Sequence, residues 1–156
     1  MDIDDYISSE SVREPPVEFY FMADWNPSQL RVMIIDDQSA ARGMLKKMLK
    51  DMEINQVFEA ANGRDGLKFL DTAPDMVDLV ICDWNMPTVT GIELLRQVRS
   101  VGFEIPFLML TGRSDADSVM EAREAGVSAY IAKPFSRDQL EAKLRIILTR
   151  QKRAVQ

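Results

Sequence analysis

From Arg31 onward the apolar positions alternate between two periods. Residues 32–35 form a continuous apolar run, which predicts a strand buried on both faces. Ala41, Met44, Leu45, Met48, Leu49 and Met52 then recur at i, i+3, i+4, i+7, i+8 and i+11, which predicts an amphipathic helix. Residues 57–60 predict a second, weaker strand, and Asn62 caps the helix opened by "NGRDGLKFL". A third strand is predicted over 77–82, bounded upstream by Pro74, and Thr90 caps a helix carrying Ile92, Leu95 and Val98. Residues 106–110 predict a fourth strand, Ser114 starts a helix ending near Gly126, and residues 129–132 predict a fifth strand. Ser136 and Gln139 form an S-x-x-Q capping box for a last helix with Leu140, Leu144, Ile147 and Leu148.

Strands that are apolar throughout, alternating with helices, belong to a parallel sheet covered on both faces. The expected fold is therefore an α/β doubly wound five-stranded parallel sheet with five helices. The expected boundaries are an acidic, partly disordered extension over 1–30, a domain over 31–150 and a short tail over 151–156. Within the extension, Phe19, Tyr20, Phe21, Met22 and Trp25 are candidates for docking, with more order expected over 17–27 than over 1–15.

Composition narrows the function classes. The 156 residues are 46% hydrophobic and 28% charged, as in a globular domain, and no apolar run reaches the roughly 20 residues of a membrane span. The N-terminus lacks the basic-then-apolar pattern of a signal peptide, and the single Cys82 excludes an internal disulfide, so a cytoplasmic setting is expected. With no histidine in the chain, His-ligated zinc and His acid–base chemistry are ruled out. The net charge of −6 is unevenly placed: residues 1–30 carry seven acids and one base, and the remainder carries 18 of each. No basic face for nucleic acid is expected from such a distribution.

In an open parallel sheet, ligands gather beyond the carboxyl ends of the strands. There this sequence places Asp36 and Asp37, then Asp83 and Asn85, then Thr111, then Lys133 and Pro134. Three carboxylates meeting in one crevice repel one another, and a hard divalent cation such as Mg²⁺ or Mn²⁺ resolves that repulsion through oxygen ligands. The Lys133 ammonium and the Thr111 hydroxyl suit the oxygens of a phosphoryl group, and one carboxylate can act as a nucleophile forming an acyl phosphate. Taken singly, each residue has a plainer reading: an Asp-Asp pair is a helix cap, a Thr-Gly a turn, a Lys-Pro a surface loop. Four strand ends carrying suitable residues in the right order are what point to chemistry.

The segments "MIIDDQSAAR", "VICDWNMPTVTGIELL", "FLMLTGRSD" and "GVSAYIAKPF" resemble the receiver domain of two-component response regulators, of the single-domain, CheY-like type. The resemblance covers about residues 32–150 and implies a sheet in the order 2-1-3-4-5. It implies Asp83 as phosphoacceptor, with Mg²⁺ held by Asp36, Asp37, Asp83 and the backbone carbonyl of Asn85. It further implies Thr111 as switch hydroxyl, Lys133 as partner of the phosphoryl group, a cis Lys133-Pro134 bond and Tyr130 as an aromatic switch. Asn85 and Arg113 stand where dephosphorylation is tuned, and Gly112 stands where alanine is frequent. The implied partners are a histidine kinase or histidine phosphotransfer protein upstream and a downstream protein target. That target is met on the fourth helix, fifth strand and fifth helix, in chemotaxis or a phosphorelay. Neither membrane nor nucleic acid is implied, and a monomer is favoured.

Two rivals are weighed. A Mg²⁺-dependent phosphatase with an aspartyl nucleophile wants a second acid two residues on, where this chain has Asn85. A pseudo-receiver that only docks would not need the full acid, threonine and lysine set. Elsewhere, Met44, Met48 and Met52 read as core packing, Cys82 as a packed core thiol, and the other Asp-Trp-Asn, at 24–26, as a chance match or a turn.

Overall fold

The computed structural model describes residues 25–112 and 115–155, with side chains described to residue 150. The expectations for residues 1–24, Arg113 and Ser114 lie outside these described residues. The elements in order are β1 (Arg31–Ile35), α1 (Ser39–Asp51), β2 (Gln56–Ala60), α2 (Gly63–Thr72), β3 (Leu79–Asp83), α3 (Gly91–Ser100), β4 (Phe107–Thr111), α4 (Ala116–Glu124), β5 (Ala129–Ala132) and α5 (Arg137–Val155). Short 3-10 turns at Pro27–Gln29 and Pro74–Met76 precede β1 and β3.

All strand pairs are parallel, and the sheet order is β2-β1-β3-β4-β5. Alternate residues of each strand point to opposite faces, so the continuous apolar runs feed two cores. One face brings Val32, Ile34, Ile81, Leu108 and Leu110 against Leu45 and Leu49 of α1 and Leu140, Leu144 and Ile147 of α5. The other brings Met33, Ile35, Val80, Phe107 and Met109 against Leu70 of α2, Ile92, Leu95 and Val98 of α3 and Ala122 of α4. Cys82 is fully buried in that second core, where burial and the nearby carboxylates push its thiol well above the ordinary range, consistent with packing.

Helix starts follow their caps. The Asn62 side chain accepts from the Asp65 amide at 2.7 Å. Thr90 and Glu93 form a reciprocal capping box, and so do Ser136 and Gln139. Some expectations need correction. β3 starts at Leu79 and takes in Asp83, and β4 starts at Phe107 and takes in Thr111, because these polar residues still complete the ladder. The cap of α4 is Asp115, whose carboxylate accepts from the Ser118 amide at 3.1 Å. The methionine stripe is only partly core: Met52 is buried, but Met44 is 52% exposed, because α1 inserts Leu45 and Leu49 instead. The expected tail is helical as far as Val155.

Before β1, Trp25 packs on the α1/α5 core, with its ring 4.4 Å from the Arg145 guanidinium carbon. Asn26 precedes the 3-10 turn opened by Pro27, so the described part of this Asp-Trp-Asn sits at a turn. No helix among the described residues is long and apolar enough to cross a membrane.

Candidate functional site

The parallel sheet brings the candidate residues together beyond the carboxyl ends of its strands. β1 ends at Ile35, and the Asp36 amide still donates to the Ala60 carbonyl of β2 at 3.1 Å, so Asp36 continues the strand in all but name. Its side chain is almost wholly buried, and Oδ1 accepts from the Gln38 amide at 2.9 Å. Oδ2 is also buried and has no hydrogen-bond partner. Burial raises the Asp36 pKa, and the nearby Asp83 and Asp37 carboxylates add to that, against the Gln38 amide and Lys133.

Asp83 closes β3 between β1 and β4, also buried. One oxygen each from Asp36, Asp37 and Asp83 lies within 4.8 Å of the others. Across the crevice, the Lys133 ammonium lies 2.8 Å from Asp83 Oδ1, although 50 residues separate the two. Lys133 is set there by the backbone, since its amide donates to the Thr111 carbonyl at 2.8 Å, and the Lys133-Pro134 bond is cis. Thr111 ends β4 and is buried beside this corner. Asn85 is exposed in the loop after Asp83. Tyr130 is half-buried on β5, with the Lys143 ammonium 5.6 Å from its ring centroid.

The residues present fit a divalent cation. A buried carboxylate oxygen without a donor is costly, and here it belongs to a cluster of three acids. Carboxylate oxygens of that kind suit a hard divalent ion. One lysine offsets one of the three charges, and the excess negative charge is what such an ion would take up.

Three residues that support the site, Arg42, Lys46 and Gly91, escape a reading of the sequence. Arg42 on α1 donates from Nη1 to the Asp36 carbonyl at 2.7 Å and from Nε to Glu59 of β2 at 3.2 Å. Lys46 joins from the next turn, 3.1 Å from Glu59, whose pKa the Lys46 hydrogen bond lowers. The i, i+4 spacing of Arg42 and Lys46 was visible, but not the register that brings Glu59 beside them. Gly91, at the start of α3, lies so close to the Asp83 carbonyl that a Cβ would meet that backbone oxygen.

Comparison with known proteins agrees with this geometry. A family model of the response regulator receiver domain matches residues 32–145. The chemotaxis protein CheY of Pseudomonas aeruginosa is 37% identical over 123 residues, which is 78% of this chain and 98% of that protein. CheY-3 of Vibrio cholerae is 37% identical over 123 residues, or 78% and 93% of the two chains. Among solved structures, Vibrio cholerae CheY4 superposes with a TM-score of 0.69 at 31% identity, covering 76% of this chain and 98% of that one. A response regulator receiver domain protein from Clostridium thermocellum gives 0.71 at 27% identity, covering 79% and 97%.

Proposed function

This chain belongs to the response regulator receiver family, and from that premise we propose that it accepts a phosphoryl group on Asp83 from a phosphohistidine of a partner protein. The observation that carries the reading is the buried Asp83 carboxylate, held between Lys133 on one side and Asp36 and Asp37 on the other. Asp36, Asp37, Asp83 and the Asn85 carbonyl would hold Mg²⁺, with Mn²⁺ as a substitute. Bound there, the ion would offset charge on the donor's phosphoryl oxygens and on the acids around them.

The chain's own residues do the rest. A carboxylate oxygen of Asp83 forms a bond to phosphorus as the donor's P–N bond breaks, and the electron pair of that bond stays on the departing imidazole nitrogen. Lys133 stands close enough to follow the charge from the carboxylate to the new phosphoryl oxygens. Thr111, joined to Lys133 through the backbone, supplies a hydroxyl to the same group. Movement of Thr111 would draw Tyr130 inward and bias a two-state face made of α4, β5 and α5. A partner protein reads that face, in chemotaxis or in a phosphorelay, and the chain acts as a cytoplasmic monomer. Asn85 and Arg113 would set the lifetime of the phosphoryl group.

Incubation with Mg²⁺ and a small phosphoramidate donor tests the reading. Stoichiometric labelling that disappears in Asp83→Asn is the expected result. Multiple turnover on a phosphoester would instead make the chain an aspartyl phosphatase, and absence of labelling would reduce it to a docking module.

A further inference from the structure

The surface between α4, β5 and α5 carries charge that the domain as a whole does not. Residues 31–156 have 18 bases and 18 acids, yet a groove of about 490 Å³ on this surface is lined by Arg123, Lys143 and Arg150. Among the described residues no carboxylate lines it. Val127, Ala129 and Ile146 add apolar lining between these cations. Lys143, Ile146 and Arg150 fall at i, i+3 and i+7 on α5, so one helix face supplies two cations with an apolar residue between them.

The complementary chemistry lies in the same chain. Residues 2–7, "DIDDYI", hold three carboxylates among Ile3, Tyr6 and Ile7, in a segment of 30 residues with net charge −6. The chain leading away from them is anchored on α5, because Trp25 stacks over Arg145 of that helix. Arg145 lies on the opposite flank of α5 from Lys143, so a returning segment must pass around a helix about 10–12 Å across. The 17 intervening residues, 8–24, span up to about 55 Å when extended, ample for that path. Tethering makes the contact intramolecular, which favours even a weak ionic pairing.

We propose that residues 2–7 of this chain occupy the basic groove between α4, β5 and α5, with Asp2, Asp4 and Asp5 meeting Arg123, Lys143 and Arg150. An aspartate on Lys143 competes with the Tyr130 ring for the same ammonium. The consequence rests on the phosphoacceptor reading above: the segment covers the surface that a downstream partner reads, and the partner must displace it.

Zero-length carbodiimide coupling of the full chain at low concentration tests the docking without phosphorylation. The expected product is an intrachain amide between a carboxylate of residues 1–13 and Lys143, recovered by trypsin as peptide 1–13 joined to peptide 138–145. Its yield should fall about ten-fold in Arg123→Gln/Arg150→Gln, the combined effect of two exposed ion pairs within their usual strength. High salt should lower it in the same direction. An unchanged yield in the double variant, links spread evenly over Lys46, Lys68 and Lys152, or links formed only between two copies would each overturn the proposal. Labelling of Asp83 in the same samples reports separately on the phosphoacceptor reading, so either can fail alone.

Discussion

Arg42 touches no reacting group, yet it fixes the turn that presents two of the three acids. Its guanidinium spans the Asp36 carbonyl and Glu59, tying the β1–α1 junction to β2. The Asp36 carboxylate is held through Oδ1 by the Gln38 amide while Oδ2 has no donor, so its direction follows the local backbone, which Arg42 pins at the Asp36 carbonyl. Arg42→Ala should weaken Mg²⁺ binding about ten-fold, as loss of a group that orients a metal ligand commonly does. Quenching of Trp84 fluorescence by Mg²⁺ in a Trp25→Phe background reads this directly, since Trp84 adjoins Asp83. Unaltered affinity with lowered thermal stability would make Arg42 merely structural. The acids, the threonine and the lysine were legible in the sequence because each ends an apolar run. Arg42 was not, because a single arginine on a mixed helix face gives no sign of which carbonyl it meets.

At the scale of the element, two glycines separate close approach from idle space. A Cβ on Gly91 would strike the Asp83 carbonyl and lie 2.8 Å from Met109 Sδ, so α3 or the end of β3 would have to move. Gly91→Ala should cost about 1–3 kcal/mol, as for overpacking in a core, and should lower Asp83 labelling as well. Gly43, exposed on α1, has nothing within 4 Å of such a Cβ, and Gly43→Ala should stabilise by about 0.4–1 kcal/mol. Denaturant melts of the two variants check the opposite signs. Neither sign could be read from the sequence, where each is a glycine in a helical pattern. The pattern served better for the strands, because an apolar run as short as Leu-Val-Ile-Cys between turn residues is too short for a buried helix. It failed at Met44, because spacing marks a stripe but not its centre.

Across the whole molecule, the end of the sheet remote from the acids is closed by charge. Arg31 gives its amide, Nε and Nη2 to the Asp78 carboxylate at 2.9, 3.1 and 3.0 Å, joining the starts of β1 and β3. Burial pushes the Asp78 pKa up, but the hydrogen bonds and charge of Arg31 outweigh it and hold the group below the ordinary aspartate range. The stability this supplies is complete above that range and is lost as pH falls through the lowered pKa. The gap in Tm between the wild type and Asp78→Asn should therefore be widest near neutral pH and close in acid. A gap that stays constant down to low pH would contradict this role. Asp36 runs the other way, because its raised pKa means that its charge costs stability until it is protonated or paired. The overall architecture was legible because five β/α alternations leave few topologies, whereas this remote clamp joins residues 47 positions apart and leaves no local trace.

The burial of the strands is uneven across the sheet. β3 and β4 are buried along their whole length and β1 nearly so, while β2 and β5 at the margins are largely half-exposed or open. The amides of β3 can therefore meet solvent only when the domain comes apart as a unit, whereas those of β5 can be released by a local and cheaper opening. By its burial, Asp83 should stand on a part of the protein that opens late, and Tyr130 on a strand that opens earlier. On the proposed phosphoacceptor reading, the chemistry would thus be held where fluctuation is rarer than at its readout.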